Sequence, residues 1–65
     1  METKQAWLTM ITTPGIEQKI GITSRTRDWL RSQARNHNRY PSTDNMIQHL
    51  LKAGYTKEQE MRWQQ

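Results

Sequence analysis

Five arginines, Arg25, Arg27, Arg31, Arg35 and Arg39, fall within fifteen residues, and one acid, Asp28, lies among them. Guanidinium groups stay charged and donate in a planar fork that matches phosphate oxygens. This segment is therefore where a polyanion would be drawn. The plainer reading is a solvated basic face on an ordinary helix. The chain as a whole carries ten Lys and Arg against six Asp and Glu, a formal charge of +4. Arg25, Arg27, Arg31 and Arg39 are the expected phosphate contacts. Ser42 and Thr43 join them, because they open a helix whose free N–H groups can hold a phosphate.

Other chemistry finds little footing. With no Cys there is no disulfide and no thiolate metal site. His37 and His49 stand twelve positions apart without the further ligands that a structural zinc needs. There is no Gly-rich phosphate loop, and Glu58 and Glu60 read as solvated acids rather than a working pair. No catalytic residue, metal, cofactor or small-molecule ligand is expected, and the protein is not expected to be an enzyme. His37 reads as a helix-end or surface group, and His49 as the edge of an apolar face. Trp29 is expected to pack in the core, with base stacking as its functional alternative. Tyr40 is expected to pack or to cap a loop.

The elements that would position these groups follow from patterning. Residues 1–15 read as an arm, flexible or accessory, ending in the turn Thr12–Thr13–Pro14–Gly15. Ile16, Ile20 and Ile22 alternate with Glu17, Lys19 and Gly21, which predicts a strand with one buried side. Thr23 or Ser24 caps a helix over about 25–37, with Leu30 and Ala34 on its thin apolar face. Asn36–Pro41 is a break. Ser42 caps a second helix over 43–53, where Met46, Ile47, Leu50 and Leu51 form one compact apolar face and Gly54 is the terminator. Thr56–Lys57–Glu58–Gln59 resembles a capping box for a short final helix in the tail, 55–65.

A chain of 65 residues with 32% apolar content is marginal alone, since about 60% of its unfolded surface is all that such a length buries. A lone strand also needs a partner for its backbone groups. Both point to a homodimer. At Lys19–Ile20–Gly21–Ile22–Thr23–Ser24, then Leu30 and Ala34, then Ser42–Thr43–Asp44–Asn45–Met46–Ile47, the chain resembles the ribbon-helix-helix family of dimeric DNA-binding repressors. The resemblance covers about residues 16–54. It implies a mainly α fold with one short β-strand, paired with a second copy in an antiparallel ribbon. Ile20, Ile22, Leu30, Ala34, Met46, Ile47, Leu50 and Leu51 would form the dimer core. The ribbon would enter the major groove of double-stranded DNA, with Lys19, Gly21 and Thr23 facing the bases.

That expectation is of a cytoplasmic, sequence-specific repressor of transcription. Its alternatives are a plasmid or phage accessory DNA-binding factor, an antitoxin, or a small RNA-binding or protein-inhibiting module. The competing architecture is a three-helix domain of helix-turn-helix type built on 25–37 and 43–53. No run approaches the 18 or so apolar residues of a membrane span.

Overall fold

The structure is a computed structural model, which describes residues 2–59 and 62–64. Its elements are α1 (Thr3–Ile11), α2 (Ile16–Ile20), α3 (Ser24–His37), α4 (Thr43–Lys52), β1 (Thr56–Gln59) and β2 (Arg62–Gln64). Among the described residues the fold is four helices and a short C-terminal hairpin within one chain.

Residues 1–15, read from sequence as an arm, contain the central element. Thr3, Ala6, Trp7, Met10 and Ile11 recur at i, i+3, i+4, i+7 and i+8, and all five are buried. α1 packs against α2, α3, α4 and β2. Ile16 and Ile20 of α2, Ala34 of α3, Met46 and Leu50 of α4, and then Tyr55 and Trp63, complete the core around it.

The expected strand over 16–22 is absent. Ile16 and Ile20 are two apart in strand periods but also one helical turn apart, and the structure takes the second option. The physical reason is backbone satisfaction: a single strand has no ladder partner, whereas α2 closes its own hydrogen bonds, ending with Gly21 N–H and Ile22 N–H both donating to the Glu17 carbonyl at 3.0 Å. The ribbon-helix-helix architecture is thereby overturned. The only sheet among the described residues is the antiparallel β1–β2 pair, inside one chain and at the opposite end of the sequence. Most of the residues expected in a dimer core pack into the core of the single chain. Ile20, Ala34, Met46 and Leu50 are buried, Ile22, Leu30 and Ile47 pack half-buried against them, and Leu51 is 56% exposed.

The expected tail helix is also replaced, by the hairpin. Glu60 and Met61, and the side chain of Glu58, lie outside the described residues. Trp63 docks the hairpin on α1: its indole Nε1 donates to Thr3 Oγ1 at 2.9 Å, with both side chains buried. A backbone bridge between Glu2 and Arg62 extends the contact.

The helix ends follow the sequence closely. Thr23 accepts from Thr26 N–H at 3.1 Å and Ser42 from Asn45 N–H at 3.3 Å. α4 stops at Gly54 (φ 90°), where Tyr55 N–H donates to the Leu50 carbonyl and Gly54 N–H to that of Leu51. Among the described residues no helix is long and apolar enough to cross a membrane.

Gly21 joins α2 to α3 at φ 75°, ψ 35°. An L side chain disfavours that region, although nothing lies within 4 Å of where a Cβ would sit. Gly21→Ala is therefore expected to lower stability by about 1–2 kcal/mol through backbone strain alone, read as a shifted urea midpoint at unchanged slope.

A second test concerns His49, whose Nδ1 accepts from the Trp7 indole at 3.2 Å. Burial, and then the charge of Lys52, hold the His49 pKa below its ordinary value of 6.5. The fold thus favours the neutral ring. Its contribution is complete above the unfolded value and is lost as pH falls through the lower folded value. Stability measured by urea unfolding is expected to fall below about pH 6.5. In His49→Gln, which accepts without titrating, that step is expected to vanish.

Candidate nucleic-acid interface

α3 is fourteen residues long and only Ala34 on it is buried. Polar residues dominate it, and its apolar stripe is little more than Leu30 and Ala34. The helix rests on that stripe and on one ionic clamp. The Arg27 guanidinium donates to both oxygens of Glu17 on α2, one at 2.9 Å, with side-chain exposures of 21% and 13%. Arg27 and Arg31 also bind Asp28, at 3.0 and 3.2 Å. The hydrogen bond to Asp28 raises the Arg27 pKa, partial desolvation works against it, and Glu17 raises it further.

The arginine cluster is thus divided by the fold. Arg27 and Arg31 are tied to carboxylates. Arg25, Arg35 and Arg39 are exposed and have no carboxylate partner among the described residues. Arg25 lies in the first turn of α3, Arg35 in its last, and Arg39 in the loop beyond. Helical spacing puts Arg25, Trp29, Ser32 and Asn36 on one outward face, flanked by Asp28 and Arg35. Asn36 Nδ2 donates to Ser32 Oγ at 3.1 Å, within that face.

Trp29, expected in the core, is 60% exposed. Its indole walls a groove of about 370 Å³ lined also by Leu30, Gln33, Arg39, Tyr40 and Pro41. Tyr40 is half-buried and held from behind. It meets Trp7 edge-on with ring centroids 5.8 Å apart, and Lys4 Nζ lies 5.3 Å from its centroid. The groove therefore has one fixed aromatic wall and one exposed one.

The residues assigned to base reading are not brought together. Lys19 is in the last turn of α2, Gly21 is the left-handed turn residue, and Thr23 is the cap of α3. Positions 19, 21 and 23 share a face only on a strand. The Thr23 hydroxyl is already engaged, accepting from Thr26 N–H and donating to Thr26 Oγ1 at 2.9 Å. Ser42 and Thr43 are exposed at the start of α4, where the Ser42 oxygen takes one free N–H and Asp44 adds a negative charge to the first turn. Among the described residues no His, Cys, Asp or Glu cluster could hold a metal ion.

Sequence reasoning also missed the helix pair itself. The short connection lies between α2 and α3, through Gly21, Ile22 and Thr23, and not between α3 and α4. The signal was present, since a Gly preceding a polar cap is a turn marker.

Glu17 carries the clamp between these two helices. Glu17→Ala is expected to speed amide exchange across the first half of α3 while α1 and α4 keep their protection. The charge-swapped pair Glu17→Arg with Arg27→Glu should restore slow exchange.

No family model, no curated protein and no solved structure matches this chain.

Proposed function

We propose that the protein is a small accessory DNA-binding module that lays α3 along the major groove of duplex DNA. The ribbon, and with it the reading as a ribbon-type repressor, is gone. The observation that carries the new reading is the unit α2, a three-residue turn with left-handed Gly21, and α3. Two helices joined by three or four residues that include Gly form the unit with which many proteins present a second helix to the major groove. Here the second helix is the exposed and basic one.

Its side-chain chemistry fits that use. Arg donates to guanine, Asn and Gln pair with adenine, and Ser bonds either base edge or phosphate. Arg25, Ser32, Gln33 and Asn36 supply these groups on or beside the outward face of α3. Arg35 and Arg39, without carboxylate partners among the described residues, would meet the phosphates at either flank. The division of the cluster matters as much as its size. Arg27 and Arg31 steady the helix, and the untied arginines supply the attraction.

Fluorescence anisotropy with a labelled duplex, its single strand and an RNA duplex of the same sequence tests this. Duplex DNA is expected to bind best, with affinity falling as salt rises by a log–log slope of about −0.9 for each phosphate neutralised. Arg35→Ala and Arg39→Ala are each expected to weaken binding to any duplex sequence and to reduce that slope by about one. No binding at low salt, or tighter binding to RNA, would overturn the proposal.

A further inference from the structure

Trp29 is out of place on the surface that it occupies. The rest of the outward face of α3 is polar: Arg25, Asp28, Ser32, Arg35 and Asn36. An indole held 60% in water on such a face keeps apolar area that only an apolar group on the partner would cover. The groove beside it is lined by the apolar Leu30 and Pro41 and by the polar Gln33 and Arg39. Tyr40 also lines it and is fixed by Trp7 and Lys4. The site is thus largely formed before anything binds.

If the partner is duplex DNA, its major groove offers one apolar group on the base edges, the 5-methyl of thymine. Resting on the reading of α3 as the groove-entering helix, we infer that Trp29 and the groove beside it select thymine through that methyl group. The surrounding charge suits this occupant. Arg39, which lines the groove, and Arg25, one turn from Trp29, are exposed cations without carboxylate partners among the described residues, so the apolar spot is set in a surface that attracts phosphates.

The same geometry sets a spacing. Arg25 precedes Trp29 by four residues, which is about 6 Å along the helix axis. An Arg25 fork on guanine O6 and N7 therefore places the selected thymine within about two base pairs of that guanine.

The test begins with selection from a randomised duplex library by the full chain. The expected consensus holds a guanine and a thymine at that spacing. Replacing the thymine by deoxyuridine removes the methyl and keeps the pairing. Wild-type affinity is expected to drop about fourfold, the worth of one buried methyl group. Trp29→Ala is expected to bind the thymine and uracil duplexes equally, with the wild-type salt slope, since the indole carries no charge. Because Trp29 is exposed, this variant should keep the wild-type circular dichroism spectrum, and the uracil comparison on the wild-type chain needs no variant at all. Duplex binding with no base preference, equal wild-type affinity for thymine and uracil, or a thymine preference retained in Trp29→Ala would each overturn the inference and leave the DNA-binding reading standing. Self-association lost in Trp29→Ala would assign the groove to a second copy and overturn it too. Absence of duplex binding would remove both.

Discussion

A fully buried indole N–H must find an acceptor or lose the water that it gave up. In this chain the acceptor for Trp7 is His49, forty-two residues away. That bond fixes how α1 lies on α4, and it is directional where the surrounding apolar contacts are not. Trp63 repeats the device at the N-terminal end of α1, donating to Thr3 sixty residues away. Between them the two indoles tie the first helix to the last helix and to the terminal hairpin. Met10, Ile11, Met46 and Leu50 then fill the space that this frame defines.

With the core gathered on α1, α3 is released from it. A fourteen-residue helix with one buried side chain would not hold its place by apolar contact alone. Leu30 and Ala34 give it a seat, Thr23 gives it a start, and the Glu17–Arg27 clamp sets its angle to α2. An ion pair at a partly exposed site adds little stability by itself. Its value here is orientation, because Arg27 lies on the same helix as the exposed arginines and its partner lies on α2. Glu17 and Asp28 engage Arg27 and Arg31, while Arg25, Arg35 and Arg39 have no carboxylate partner among the described residues.

Much of α3 and α4 was legible in the sequence, because caps and terminators act locally. Thr23, Ser42 and Gly54 do what their side chains, or the lack of one, dictate, and the start of α3 and both ends of α4 follow from them. What was not legible depended on tertiary partners. Ile16 and Ile20 satisfy a period of two and a period of four equally, and only the availability of backbone partners separates strand from helix. The turn at Thr12–Gly15 makes the first fifteen residues look detached, yet the spacing of Thr3, Ala6, Trp7, Met10 and Ile11 is that of a buried helix face. At the site, the exposed arginines could be read as a cluster. Their division into tied and untied members could not, because Glu17 meets Arg27 only once α2 and α3 are helices joined by a tight turn.

The distribution of tryptophan follows from the same scarcity. With 32% apolar residues and no Phe, the chain has few large groups with which to build a core. Each buried indole removes some 150–250 Å² from water, so two of the three do the work of several aliphatic side chains. Trp7 and Trp63 are 0% and 1% exposed. A sequence this short of apolar surface would gain stability from burying the third as well. Trp29 instead stands on the outer face of α3, beside a groove that Tyr40 also lines, itself braced by the core tryptophan Trp7. The interaction that orders the interior thus also sets the shape of the exposed site.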